Sequence, residues 1–234
     1  MDPATQVDLE NLSKTPLFKG LTLPELEAIH TLSHLAQANT EEFFFFQGDP
    51  AEKIYILRTG RVKITQINAE GQQVLMRVIG PWDLFAVIAL MDTGEYPASA
   101  EAVDTSQALV WSRLDLVRVI EKIPRLSINM LHLMSSHVKE FQNRYTELAT
   151  ERVERRLARA LLRLANQTGR KTPQGVLIDF PLSRQDLAEM TGTTLYTVSR
   201  ILSQWETQKI VVSGRERVTV CNPHGLVRIA EDLP

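Results

Sequence analysis

Between Leu182 and Gln208 the chain reads LSRQDLAEMTGTTLYTVSRILSQWETQ, and its polar residues are of kinds that bond base edges and phosphates. Leu195, Tyr196, Thr197, Ser199, Arg200 and Gln204 occupy the face left over once the apolar positions are set aside. Those apolar positions are Leu187, Ala188, Met190, Val198, Ile201, Leu202 and Trp205, at helical spacing on either side of a break at Thr191-Gly192-Thr193. Ala188 is small enough to let two helices approach closely, and Gly192 can take the left-handed backbone of a tight turn. The pattern predicts a helix-turn-helix whose second helix offers donors and acceptors to a DNA groove. An ordinary helical hairpin would share this spacing, so the surrounding chain has to separate the two.

With 234 residues the chain can hold two modest domains. A composition of 44% hydrophobic and 23% charged residues, with no apolar run long enough to span a membrane, predicts a soluble protein. The acidic start MDPATQVDLENL lacks the basic opening and apolar core of a signal peptide, so a cytoplasmic location is expected. Cys221 is the only cysteine, which excludes an intrachain disulfide and an all-cysteine metal or iron–sulfur site. The net charge of −2 argues against a nucleic-acid binder, but its distribution argues for one. Residues 150–234 carry 13 Lys/Arg against 9 Asp/Glu, whereas residues 1–149 carry 13 against 19. A basic end on an acidic body suits a DNA-reading domain attached to a regulatory one.

Elements that would position the helix-turn-helix can be read in order. Residues 5–37 have a helical look, broken at Pro16 and Pro24. From Glu42 short β-rich runs follow at Phe43–Phe46, Ile54–Leu57, Val62–Thr65, Val74–Ile79 and Ala108–Trp111, separated by turn residues. This spacing predicts an antiparallel sandwich or small barrel, with the four phenylalanines as core strand residues. Pro124 then opens a long helix in which Leu131, Met134, Val138, Phe141, Tyr145 and Leu148 repeat at intervals of 3, 4, 3, 4 and 3. Such a repeat is a two-stranded coiled-coil seam and predicts a homodimer. Arg152 and Arg155 stand at the next seam positions, so the helix should end near residue 150. Residues 151–166 form another helix with a row of arginines outward, then a polar loop from Gly169 to Gly175 and a strand at Val176–Phe180. After the helix-turn-helix, Ile210–Val212, Gly214 and Arg217–Val220 make a small wing hairpin, and His224–Leu233 a closing helix.

This order resembles the Crp/Fnr family of bacterial transcription regulators, from about Leu17 to Leu226. The motifs LFKGL, QGDPAEKIYILRTGRVKI, EGQQ and SRQDLAEMTGTTLYTVSRIL carry the likeness, and Gly48, Gly60 and Gly71 match turn glycines of the β-roll. Trp82 stands where another turn glycine is usual. The resemblance implies an α+β fold in three parts. An N-terminal cyclic-nucleotide-binding-like β-roll would occupy 1–123, a dimerisation helix 124–149, and a winged helix-turn-helix 150–234. It also implies a pseudo-palindromic double-stranded DNA site, RNA polymerase as a further partner, and allosteric control of DNA affinity for transcription regulation, as an activator or a repressor. By position, Ser183, Arg184 and Gln185 match phosphate contacts, and Leu195, Tyr196, Ser199 and Arg200 match base readers, with Thr194, Thr197 and Gln204 completing the DNA-binding set. Arg200 can bond guanine O6 and N7 together. Tyr196 stands where cyclic-AMP-responsive and oxygen-sensing relatives place Glu to accept from cytosine, so the half-site should differ from theirs.

The resemblance also frames what the first domain senses. Cyclic-nucleotide binders of this fold cradle the ligand with a Gly-Glu and an Arg-Ser pair. Ala86-Val87 and Pro97-Ala98 replace them here, leaving a phosphate without a cation, so cyclic AMP is not expected. With one cysteine, an iron–sulfur sensor is not expected either. The run through Phe85, Ala86, Val87, Pro97, Ala98 and Ser99 resembles the nitric-oxide-responsive Dnr/NnrR branch, which implies an apolar pocket and haem as sensor. His30 and His34, four apart on a predicted helix, and His132 and His137 are the histidines in reach, and none is nominated as a metal site. Two other functions could share this order of elements. One is a DNA-binding regulator that needs no effector. The other, a cupin-like metal enzyme, lacks any histidine between His34 and His132 to build its site, and the chain shows no nucleophile–base pair or phosphate loop.

Overall fold

A computed structural model describes residues 2–71, 73–91 and 94–233. The chain divides into two compact units, 1–67 with 79–141 and 68–78 with 142–234.

The first unit opens with α1 (Pro3–Leu12) and α2 (Leu23–Thr31), the latter started by a capping box between Thr22 and Glu25. The roll strands are β1 (His34–Ala38), β2 (Phe43–Phe45), β3 (Lys53–Thr59), β4 (Val62–Ile67), β5 (Gln73–Ile79), β6 (Leu84–Phe85), β7 (Ser99–Ala102) and β8 (Ser106–Ser112), of which β5 falls in the second unit but for Ile79. They form two antiparallel sheets, β1-β8-β3-β6 and β2-β7-β4-β5. A single 3-10 turn at Val87–Met91 follows β6. Gly60 needs its glycine, because a Cβ there would lie 2.2 Å from the Ser106 hydroxyl, and its φ is +86°. Trp82, the departure noted above, holds the left-handed backbone at φ 68° without glycine's freedom, a conformation that costs roughly 1 kcal/mol. Its indole packs against the core in return.

Trp111 is fully buried at the centre of this unit, and its indole N–H donates to the Ile29 carbonyl, so β8 holds α2. Buried Asp8 accepts from Arg58 at 2.8 Å and lies 3.3 Å from His30, which ties α1 to the roll. Phe45, Tyr55, Phe85 and Tyr96 stack on one another in the roll interior, with Phe45 and Tyr96 centroids 3.9 Å apart. Burial pushes the phenols of Tyr55 and Tyr96 above the ordinary tyrosine range.

The structure corrects three expectations here. Residues 34–38 are an edge strand, not the end of a helix, because His34–Ala38 completes a ladder with Ser106–Val110. His30 and His34 therefore share no helix face. Of the four phenylalanines, Phe45 is buried and Phe44 partly so, whereas Phe43 and Phe46 are exposed and stack on each other at 4.4 Å.

Beyond α3 (Arg113–Lys122), capped by Ser112, α4 runs from Pro124 to Thr150 as one helix, starting and ending where the sequence predicts. In the second unit, α5 (Val153–Thr168) leads to the hairpin β9 (Gly169–Thr172) and β10 (Gly175–Ile178), so the expected polar loop is mostly strand. Then come α6 (Arg184–Met190), α7 (Leu195–Thr207), the wing strands β11 (Val211–Gly214) and β12 (Arg217–Val220), and α8 (Pro223–Glu231). One sheet in the order β11-β12-β10-β9 joins both hairpins. Leu157, Leu161, Leu164, Leu187, Val198, Leu202, Trp205 and Leu226 are buried within this unit.

Candidate nucleic-acid interface

The predicted helix-turn-helix is α6 and α7. The Ser183 hydroxyl accepts from the Asp186 N–H, and the Asp186 carboxylate accepts from the Ser183 N–H, a reciprocal cap that fixes where α6 starts. Gly192 takes φ +59°, and Thr193 N–H donates to the Ala188 carbonyl to close the turn. Thr194 caps α7 by accepting from the Thr197 N–H. Val198, Ile201, Leu202 and Trp205 are buried, which turns the opposite face of α7 outward.

On that face Tyr196 is 77% exposed and Leu195 49%, and Arg200 and Gln204 are exposed. Among the described residues none bonds the Arg200 guanidinium, so its five donors remain free for a ligand. Other nominated side chains are already engaged. Ser183, Thr194 and Thr197 serve in the caps, and Gln185 donates to Glu189 at 2.8 Å. Arg184 donates to the hydroxyls of Ser199, at 3.3 Å, and Ser213, at 3.4 Å. The exposed side chains of α7 left uncommitted among those nominated are thus Leu195, Tyr196, Arg200 and Gln204, with Arg184 and Ser199 bonded to each other beside them.

Arg215 and Arg217 were not singled out from the sequence. Both are exposed at the wing tip, where Glu216 takes φ 51°, and no described residue pairs with either. The basic tripeptide between two β-runs was the available signal. Exposed guanidinium groups on a wing beside a reading helix can neutralise backbone phosphates.

The arginines of α5 do not point outward as expected. Arg155, Arg159 and Arg163, four residues apart on one face, are each about three-quarters buried. Glu147 near the end of α4 receives Arg163 at 3.1 Å and Arg159 at 3.5 Å, and Glu151 lies 3.3 Å from Arg159 and 3.7 Å from Arg155. On the other side Arg155 and Arg159 both donate to the Ala230 carbonyl near the end of α8. Arg156 links the break after α4 to the turn, donating to the carbonyls of Glu151 at 2.6 Å and Thr191 at 2.9 Å. This clasp holds the last turn of α4 to α5. Glu147→Gln keeps an acceptor but removes the charge that Arg163 faces at 3.1 Å, with no other carboxylate on Arg163 among the described residues, so it should lower stability by about 1–3 kcal/mol. Denaturant unfolding of the full chain checks this, and the difference from wild type should shrink as salt is raised.

The six seam residues lie along α4. Leu131, Val138, Phe141, Tyr145 and Leu148 are each more than half exposed, and Met134 is half-buried. Leu148 also reaches the turn, its Cδ2 lying 3.0 Å from where a Cβ on Gly192 would stand.

In the segment expected to line an effector pocket, Phe85 is buried in the aromatic stack. Ala86 takes φ 61°, and Val87 starts the 3-10 turn. The Ser99 hydroxyl is buried and accepts from the Gln47 N–H at 2.9 Å, whereas Pro97 is exposed and Ala98 half-buried. Asp92 and Thr93 in this segment, and Gln72 of the EGQQ turn, lie outside the described residues. The residues do not fit a haem held by His30 and His34, since His30 is bound to Asp8 and His34 begins β1. No described helix is long and apolar enough to cross a membrane.

Residues 36–123 match the cyclic nucleotide-binding domain, and residues 155–229 match the Crp-like helix-turn-helix domain. The chain is 29% identical to the cyclic AMP receptor protein of Thermus thermophilus, across 94% of this chain and 98% of that one. It is 31% identical to the global nitrogen regulator of Synechococcus elongatus, across 78% and 83%. The crystal structure of the sensor domain of the transcriptional regulator DNR from Pseudomonas aeruginosa superposes with a TM-score of 0.55 at 27% identity, covering 61% of this chain and 95% of that domain.

Proposed function

The chain belongs to the Crp/Fnr family of transcription regulators, a DNA-binding regulator rather than an enzyme, and we propose that it works in the cytoplasm as a homodimer reading a two-fold-symmetric DNA site. The observation that carries this reading is one helix face. Tyr196, Arg200 and Gln204 stand exposed on α7, with no partner for Arg200 among the described residues, while Val198, Ile201, Leu202 and Trp205 bury the opposite face. The exposed apolar repeat of α4 supports the dimer, because a stripe of five side chains each more than half exposed is costly in water and pairs naturally with its own copy. Organised this way, 1–123 regulates, 124–149 dimerises and 150–234 reads DNA.

Control by the β-roll would pass through the end of α4. The Glu147–Glu151 carboxylates, clasped by α5, and Arg156, bonded to the turn, give any change in the seam helices a direct path to α6 and α7. The effector is not a cyclic nucleotide, since Pro97-Ala98 supplies no cation for its phosphate. The stacked interior of Phe45, Tyr55, Phe85 and Tyr96 favours a second reading for this one point, a roll that acts without a small molecule in its core.

Selection of the purified full-length protein against a random duplex pool tests the reading. The expected outcome is an inverted repeat with half-sites about 10 base pairs apart centre to centre, or a multiple of one helical turn. Light scattering should give the mass of two chains of 26.5 kDa. A monomer that enriches no sequence would overturn it.

A further inference from the structure

Resting on that reading, we propose that Glu206 and Ser213, neither of which was expected to meet DNA, position Arg184 for its phosphate contact and so lock the wing to the helix-turn-helix. Glu206 lies near the C-terminal end of α7, and Ser213 on the first wing strand. One carboxylate oxygen of Glu206 accepts from both the Ser213 N–H, at 2.8 Å, and the Ser213 hydroxyl, at 2.6 Å. The same hydroxyl oxygen stands 3.4 Å from Nη2 of Arg184, whose Nη1 reaches the Ser199 hydroxyl at 3.3 Å.

Hydrogen counting gives this chain a direction. A serine hydroxyl has one hydrogen and two lone pairs. Glu206, an acceptor only, takes the Ser213 hydrogen, so toward Arg184 that oxygen can only accept. A guanidinium can only donate, and the match is complete. Without Glu206 the hydroxyl rotor is free and can turn its hydrogen toward the cation, which repels it. Arg184 is exposed and makes no ion pair among the described residues, so these two hydroxyls are what hold it. Three elements, α6, α7 and β11, thereby meet at one guanidinium.

Charge and position predict opposite signs, which makes the relay testable. Glu206→Gln and Glu206→Ala both remove a negative charge close to the reading helix, so electrostatics alone tightens DNA binding in both. The glutamine carbonyl oxygen can still accept from the Ser213 N–H and hydroxyl, whereas alanine cannot. The relay therefore predicts that Glu206→Gln binds a wild-type-selected site as well as wild type or better. Glu206→Ala and Ser213→Ala should bind about fivefold more weakly per half-site, the effect of one lost hydrogen bond in each protomer. Their log Kd against log salt slopes should fall by about 1 per half-site, as for Arg184→Ala, which loses one phosphate contact in each protomer. Combining Glu206→Ala with Arg184→Ala should weaken binding no further than Arg184→Ala alone.

Thermal melts of each full-length variant show whether it is folded, and Ser213→Ala carries the test if Glu206→Ala is not. Additive losses in the double variant, or an unchanged salt slope in the folded single variants, would overturn the relay. Failure of the wild type itself to select a two-fold site would instead sink the reading on which it rests.

Discussion

Phe141→Glu should convert the protein to a monomer and weaken binding to a two-half-site DNA by about a hundredfold or more, the scale on which linked binding exceeds single binding. Phe141 lies in the middle of the α4 seam, between Val138 and Tyr145, and is 70% exposed in the protomer. A charge there costs the single chain little, because the side chain has few intrachain partners to lose. In a parallel pair the two copies of the position face each other across the seam. Two carboxylates would then be buried together without a cation, which is strongly unfavourable. Sedimentation equilibrium reads the association directly. Anisotropy titrations with half-site and full-site duplexes separate association from reading, because half-site affinity should be unchanged while the full-site advantage disappears. If the variant remains a dimer with full affinity, the exposed repeat of α4 is not the dimer surface.

The same helix shows what a sequence can and cannot disclose. Its seam, its start at Pro124 and its end near residue 150 are local in the chain. They depend on spacing along one helix, and the structure shows its start and its end and leaves the repeat mostly exposed. The caps at Ser183 and Thr194 and the left-handed Gly192 are equally local. By contrast, HLAQA at residues 34–38 has the propensity of a helix and becomes a strand because Ser106–Val110, seventy residues on, offers a free edge. Gly169–Thr172 becomes a strand for the same kind of reason, by pairing with Gly175–Ile178. The arginines of α5 have a helical period that suits a solvated face. Only the return of Glu147 and Glu151 beside them makes that face an ion-pair network. Ser199 shows the limit most sharply: its place on the reading helix is plain from the motif, but the guanidinium of Arg184 fifteen residues earlier already uses its oxygen.

Arg200→Ala should cost roughly 1–3 kcal/mol per half-site, a loss of about 5- to 150-fold that enters twice in a symmetric dimer. Arg200 stands four residues, one helical turn, beyond Tyr196 on the exposed face of α7. Unlike Arg184 it is bonded to nothing among the described residues, so the fork is not spent inside the protein. A guanidinium in that place can bond O6 and N7 of one guanine together, which fixes both the base and its orientation. Specificity should therefore relax at one base pair of each half-site and stay intact at the others. Arg200→Lys should not restore it, because an ammonium keeps the charge and loses the planar fork. Comparing the two variants separates the charge from the geometry. Lysine should recover the salt dependence of wild type, but not its discrimination at that pair. Affinities measured on a panel of duplexes, each altered at one symmetric pair of positions, would show this as a single flattened column. A uniform loss across the panel would mean that Arg200 grips the backbone, and that Leu195, Tyr196 and Gln204 carry the sequence reading without it.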